Sequence, residues 1–385
     1  MKTEKPTIAL LMNSFWNAGS GGLSGGDQRL IQIFDRISKD FDILIITSQD
    51  GREIIKDRIK GAKYILSPAV ANHGNLMVAY LIRTIWSLFI LPGKKIDYLY
   101  GSSDFLPDVL PCYFNRLRHK SSKWIQCIFH YYPNWRFRPG NKVFNFIASL
   151  SQQSSFWFIK RKADSVVNIN YQVKERLVSQ GLPTEKIAVI PCGIDLPFFD
   201  GIKPSKEKFT GSFLARLNPS KGIFDLPKIW KIVVDKIPSA KLKIIGGGSD
   251  EMKKKLLDLA TESGVKDNIE LCGFLPNEKA FQIIADSNVF LFPSHEEGFG
   301  MAIAEAMACA TPVVAWNLPV YGEVFPDVLI TAEENDIEGF AQAVIKLLND
   351  DKSAAELAVK SKKFVNIYGW DLIAKAEHDL IIKGA

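Results

Sequence analysis

Two glutamates, Glu297 and Glu305, bracket a turn containing Gly298 and Gly300 and the opening of an apolar, helix-forming run from Met301 to Ala308. The apolar residues Val289 to Phe292 ahead of them predict a buried strand, so the turn falls at a strand's carboxyl end. Open α/β sheets bind ligands at that place. The two glycines leave backbone N–H groups at a helix start free to meet an anionic or hydroxyl-bearing ligand. Glu305 falls five residues into the helix, roughly 7 Å along its axis at ~1.5 Å per residue. Two rings of one ligand can therefore be gripped separately. An arbitrary pair of this spacing is a helix cap plus a solvated glutamate; the glycines and the preceding strand argue for a site.

Cations with matching chemistry precede this segment. The run Phe213 to Ala215 predicts a strand that ends at Arg216, followed by the turn Asn218-Pro219-Ser220 and by Lys221-Gly222 at a helix start. A guanidinium binds phosphate oxygens as a fork and an ammonium acts as a point charge, so the pair suits a diphosphate. Farther upstream, Trp124 to Phe129 predicts a strand that delivers His130 at its carboxyl end. Near the amino terminus, the strand Thr7 to Met12 leads into a loop with five glycines, Asn13 to Gly26. A helix follows, opened by Asp27, with Leu30, Ile31, Phe34 and Ile37 on one face, and then a second strand, Phe41 to Thr47. Gly25 and Gly26 thus occupy the first turn of a doubly wound unit. A nicotinamide-binding fingerprint fits poorly, because no Gly-x-Gly-x-x-Gly sets the helix start and neither Asp42 nor Asp50 is clearly placed at the end of the second strand.

Three ordered segments carry a resemblance. The Glu297-x7-Glu305 pair, the run Ala215-Arg216-Leu217-Asn218-Pro219-Ser220-Lys221-Gly222 and the run Val189-Ile190-Pro191-Cys192-Gly193-Ile194-Asp195 resemble, in that family's spacing, the signatures of retaining GT-B glycosyltransferases of the GT4 type, glycosyl transferases group 1. The resemblance implies an α/β chain with two Rossmann-like doubly wound domains facing a central cleft. Residues 1–200 would form the acceptor-side domain, 201–365 the nucleotide-sugar domain, and 366–385 a helix crossing back to the first, with Asp195 to Phe209 as linker. It implies transfer of a sugar, with retention, from a nucleotide-diphosphate donor to an acceptor hydroxyl, without cofactor or divalent metal. Arg216 and Lys221 would stabilise the departing diphosphate. Glu297 and the N–H groups of Gly298, Phe299, Gly300 and Met301 would hold the sugar, Glu305 the ribose hydroxyls, and Gly25 and Gly26 would approach the donor phosphate and the acceptor. His130 matches a histidine that contacts the donor sugar, although Tyr131 departs from the family's frequent His-Asp. Ala215 stands where the family has glycine.

Size and composition agree with two cores. The chain has 385 residues and 47% hydrophobic content, more than one hydrophobic core usually spans. Five scattered cysteines without a Cys-x-x-Cys pair argue against a zinc site or a disulfide framework. A reducing compartment fits, and a polar amino terminus leading straight into a strand leads us to expect no signal peptide and a cytoplasmic protein.

The net charge of +6 is uneven: residues 1–200 hold 26 lysines and arginines against 16 acidic residues, and residues 201–385 hold 22 against 26. Between Val109 and Ala163 there are ten basic residues, no acidic one, and aromatics that include Trp124, Trp135, Phe137, Phe144, Phe146, Phe156, Trp157 and Phe158. That mixture suits an anionic membrane surface or nucleic acid. With no nucleic-acid module in view, we expect the inner face of a membrane and a glycan or lipid-linked acceptor, and no nucleic acid. Met77 to Pro92 is apolar but short for a bilayer span, and a buried helix is the expectation there, with an interfacial helix as the alternative. Three readings compete with this one. A glycosidase needs carboxylates on opposite sides of the anomeric centre, whereas Glu297 and Glu305 share one turn and helix. A soluble-acceptor enzyme resembling sucrose or glycogen synthases would not bind anionic vesicles. A non-catalytic nucleotide-sugar-binding protein would bind donor without turning it over.

Overall fold

The computed structural model describes residues 5–14, 24–71, 76–90, 95–129, 135–136, 142–205 and 209–383. His130, Tyr131, Phe137 and the glycines at 19, 21 and 22 lie outside the described residues. Two compact units divide the chain: Met1–Cys192 with Trp370–Ala385, and Gly193–Gly369.

In the first unit β1 (Thr7–Leu11), α1 (Gly25–Ile37), β2 (Asp42–Thr47), α2 (Gln49–Ile55), β3 (Lys63–Leu66), α3 (Leu76–Ser87) and β4 (Tyr98–Gly101) come first. Then come α4 (Leu106–Arg118), β5 (Lys123–Ile128), α5 (Lys142–Lys162), β6 (Ser165–Asn168), α6 (Tyr171–Ser179) and β7 (Ile187–Val189). The seven strands are parallel in the order β3-β2-β1-β4-β5-β6-β7. Near-continuous apolar runs such as β1 form these strands because helices cover both faces of a parallel sheet.

In the second unit α7 (Leu196–Gly201), β8 (Phe209–Leu214), α8 (Leu226–Lys236), β9 (Leu242–Ile245), α9 (Asp250–Glu262), β10 (Ile269–Gly273) and α10 (Asn277–Ala285) lead the order. They are followed by β11 (Ser287–Phe292), α11 (Met301–Ala308), β12 (Val313–Trp316), α12 (Pro319–Val324), β13 (Ile330–Ala332), α13 (Ile337–Asn349) and α14 (Asp351–Phe364). Its sheet is parallel in the order β10-β9-β8-β11-β12-β13. Both units are therefore doubly wound, as expected, with strand order reversing at β1/β4 and at β8/β11. Part of the presumed linker is ordered structure: α7 lies within it and puts Phe199 edge-on to Phe281 at 4.9 Å.

The last helix, α15 (Trp370–Lys383), returns to the first unit and packs on α1. A buried ion pair fastens it. Arg29 Nη2 donates to Glu377 Oε2 at 2.7 Å and to the Ile190 carbonyl at 3.0 Å, while Tyr100 Oη donates to Glu377 Oε1 at 2.6 Å. Both charged side chains are fully buried, so each depends on the other and on these neutral partners.

Two local expectations need correction. Helix α1 opens at Gly25 rather than Asp27, because Ser24 caps it and Asp27 closes a capping box: Ser24 Oγ accepts from Asp27 N, and Asp27 Oδ2 accepts from Ser24 N. Helix α3 is buried along one face only: Ala79, Arg83, Thr84 and Ser87 are buried, Arg83 donating to the carbonyls of Ala71 and Asn13, whereas Val78, Leu81 and Ile85 are 52–59% exposed. Apolar residues all around a helix do not reveal which face meets the sheet. Among the described residues no helix is long and apolar enough to cross a membrane.

Candidate functional site

The two turns singled out from sequence meet at the β8/β11 reversal of the second unit. Arg216 lies two residues past β8 and Lys221 closes the following turn; Glu297 lies in the turn after β11. Hydrogen bonds lace the turns together: Asn218 Oδ1 accepts from Ser220 N at 2.9 Å, and the Ser220 carbonyl accepts from His295 N at 2.9 Å. Gly222 is required at their contact. It has φ 69°, and a Cβ there would lie 1.8 Å from the Pro293 carbonyl oxygen.

Lys221 and Glu297, assigned separate tasks by sequence, form an ion pair. Lys221 Nζ donates to Glu297 Oε1 at 2.5 Å and to the Glu296 carbonyl at 3.1 Å. Ser294 Oγ lies 2.9 Å from the same Glu297 oxygen, within reach also of the Ser220 and Glu296 carbonyls. The lysine's side chain is 22% accessible and the glutamate's 11%. Arg216, by contrast, is exposed, and its guanidinium has no partner among the described residues. One cation is thus held in reserve by a carboxylate while the other is free.

The opening of α11 supplies donors. Gly300 adopts φ 95° and ψ 52° as the helix's N-cap residue, with no side chain capping the end. Among the described residues no acceptor takes the amide N–H of Phe299, Gly300 or Met301, so these groups at the positive end of the helix dipole are unspent donors suited to an anion or hydroxyl. The Phe299 ring is buried, edge-on to Tyr368 at 5.0 Å and Phe325 at 5.6 Å. It anchors the turn; only its amide can serve a ligand.

Glu305 sits one turn farther along α11. It keeps part of its surface accessible, yet no described group donates to its carboxylate, and desolvation raises its pKa to about 8. A carboxylate this far desolvated and without a donor is a costly group. Hydroxyls of a ligand would satisfy it.

Two residues in this unit escaped the sequence reading. His295 bridges two carboxylates, with Nε2 2.8 Å from Asp225 Oδ2 and Nδ1 2.7 Å from Glu334 Oε1. The Asp225 hydrogen bond, then that of Glu334, raises its pKa. Its place in the motif was visible, but its partners lie 70 and 39 residues away. Tyr321, on α12, has a buried hydroxyl without a partner among the described residues. Burial and then the Glu297 charge push its pKa well up, and nothing in the sequence marked it.

In the first unit Gly25 and Gly26 form the first turn of α1. A Cβ on Gly26 would come within 2.9–3.1 Å of the Phe129 ring, so glycine is needed for this close approach to the residue before His130. Asp108, unmarked by sequence, lies buried beside the β1/β4 reversal. It accepts from Asn13 N at 2.7 Å and from the hydroxyls of Ser14, Ser102 and Ser103 at 2.6–3.0 Å. Burial raises its pKa to about 6 against the pull of those bonds. It clamps the start of the loop that leads to the two glycines.

The chain is similar in sequence and fold to known proteins. Residues 198–364 match the family model described as Glycosyl transferases group 1. A relative from Arabidopsis thaliana, one of the subunits of phosphatidylinositol N-acetylglucosaminyltransferase, is 24% identical over 234 residues, covering 60% of this chain and 51% of that protein. The chain thus spans about half the length of that relative. Among solved structures, sucrose-phosphate synthase from Thermosynechococcus elongatus superposes with a TM-score of 0.77 at 17% identity, covering 98% of this chain and 99% of that one. Anabaena HepE in complex with UDP-glucose gives 0.74 at 15% identity, covering 98% and 99%.

Proposed function

The chain belongs to the group 1 glycosyltransferases and has the GT-B fold, and from that premise we propose that it transfers a sugar from a nucleotide-diphosphate donor to an acceptor hydroxyl with retention at the anomeric carbon. The observation that carries the reading is the convergence of Arg216, Lys221, Glu297, the open amides of α11 and the donorless Glu305 at one strand-order reversal.

Arg216 meets the diphosphate first, as a free fork. The incoming phosphate competes with Glu297 for Lys221, and both cations then stabilise the charge that builds on the leaving diphosphate. Glu297, released, accepts from a sugar hydroxyl, while the amides of Phe299 to Met301 donate to the sugar. Glu305 accepts from the ribose hydroxyls. His130 keeps the role implied by the resemblance, orienting the donor sugar, and Gly25 and Gly26 keep theirs beside phosphate and acceptor. With leaving-group charge met by Arg216 and Lys221, the reaction needs no divalent metal, and turnover should persist in a chelator.

A membrane-borne, lipid-linked acceptor on the inner face is favoured over a soluble one. Support comes from the basic, aromatic stretch 109–163 and from the Arabidopsis relative, whose name describes a transferase acting on phosphatidylinositol. Incubating purified protein with UDP-, GDP- and ADP-sugars and a lipid extract tests the proposal. Sugar incorporated into the lipid fraction supports it, and donor binding without transfer or hydrolysis would instead favour the binding-protein reading.

A further inference from the structure

Helices α3, α4 and α5 pack side by side over one face of the first unit's sheet. Their inner residues, among them Trp86, Val109, Cys112, Phe156 and Ile159, join the core. Their outer residues are also apolar. On α3 and just beyond it, Val78, Leu81, Ile85 and Phe89 recur at helical spacing and are 52–62% exposed. On α4, Phe114 and Leu117 are exposed, and on α5 Phe146, Leu150 and Trp157 are 46–53% exposed. Three neighbouring helices thus present one apolar layer to the outside, which a lone exposed side chain would not do.

The charge on this layer has one sign. The only acidic residue on the three helices, Asp108, is fully buried. Arginines stand over the exposed rings: Arg118 Cζ lies 5.6 Å from the Phe89 ring centre, and Arg161 Cζ 3.7 Å from that of Trp157. Arg118 also donates to the Leu88 carbonyl, tying the end of α4 to the segment after α3. Apolar side chains flanked by cations, with no exposed carboxylate among them, match a bilayer interface: rings and aliphatics enter the acyl boundary and guanidinium groups meet anionic headgroups.

We infer that the outer face of α3, α4 and α5 docks on an anionic lipid surface, with α3 as an inserting element that the basic stretch 109–163 does not include. The inference rests on the lipid-acceptor part of the proposed function and names where the membrane is met.

Co-sedimentation of the full chain with vesicles tests it, comparing pure phosphatidylcholine with phosphatidylcholine carrying about a third phosphatidylglycerol. The wild type should bind the anionic vesicles and release in high salt. The pairs Leu81→Glu/Ile85→Glu and Arg118→Ser/Arg161→Ser, all on exposed positions, should each weaken binding about tenfold or more. Thermal protection by nucleotide sugars, read on the same samples without vesicles, should not change. A wild type that does not sediment, or variants that sediment like it, would overturn the docking face while leaving donor protection to judge the transferase reading. A wild-type dimer that Leu81→Glu/Ile85→Glu makes monomeric, without vesicle binding, would assign the face to a second copy and overturn the lipid proposal. Loss of donor protection in the wild type with vesicle binding intact would count against the transferase reading alone.

Discussion

Lys221 Nζ rests 2.5 Å from Glu297 Oε1, across 76 residues of sequence, so the cation expected at the diphosphate and the carboxylate expected at the sugar restrain each other before any ligand arrives. On the proposed function, donor binding would exchange partners at Lys221 and Glu297. Lys221→Ala and Glu297→Ala should each lower kcat/KM about a hundredfold or more. In the ligand-free protein their effects on stability should be non-additive, with a coupling of about 1–2 kcal/mol for a largely buried pair. Additive effects in a double-mutant cycle would show that the pair is incidental.

Glu305 predicts a pH dependence of opposite sign to that of a paired carboxylate. Its folded pKa is raised from 4.5 to about 8, so the folded state holds a proton that the unfolded state has released, and stability falls as pH rises through that window. Glu305→Gln should therefore raise the ligand-free Tm by a few degrees at pH near 8 and change it little near pH 4.5. The same variant should lose donor protection, because the amide offers one acceptor oxygen and an N–H donor where the carboxylate offers two acceptors to a pair of hydroxyls. Thermal melts across pH, with and without nucleotide sugar, check both halves.

His295 behaves in the reverse sense. Its pKa is raised above 6.5 by Asp225 and Glu334, so the stabilisation is fully present below about pH 6.5 and is lost as pH rises through the raised value. His295→Gln should lower Tm near pH 6 and converge on the wild type toward alkaline pH. A constant difference at all pH values would remove the charge from the explanation.

Gly222 and Gly264 share a left-handed backbone, with φ 69° and 72°, but only Gly222 faces an obstacle. Substitution by alanine at Gly264, with nothing within 4 Å, should cost about 1 kcal/mol of backbone strain. At Gly222 the Pro293 carbonyl must also move, so the loss should be clearly larger and accompanied by weaker donor binding. Urea denaturation of the two variants makes the comparison.

Glu377→Ala leaves Arg29 buried without its counter-ion, since both side chains are fully buried. The expected destabilisation is about 3–5 kcal/mol, and chemical denaturation measures it. A loss below about 1 kcal/mol would mean that water replaces the pair.

The doubly wound units and the turn from Pro293 were legible because they depend on local pattern: apolar strand runs, glycines at strand ends and a helix-forming run after them. Relationships set by topology were hidden. Lys221 meets Glu297, and His295 meets Asp225 and Glu334, only because β8 and β11 are neighbours at the point where strand order reverses. The start of α1 was misplaced by two residues because the Ser24–Asp27 capping box outweighs glycine's poor helix propensity. For helix α3 the buried expectation holds on one face only, because Arg83 is buried while Leu81 and Ile85 are exposed, the reverse of a simple polarity rule.

Thermal unfolding with a panel of UDP-, GDP- and ADP-sugars tests the central claim most directly, since a ligand of the folded state raises Tm by mass action. The account predicts that one nucleotide series raises the wild-type Tm by several degrees, and that Arg216→Ala and Glu305→Gln each abolish most of that rise. No rise with any donor, or a full rise in both variants, would contradict a nucleotide-sugar site at the β8/β11 reversal.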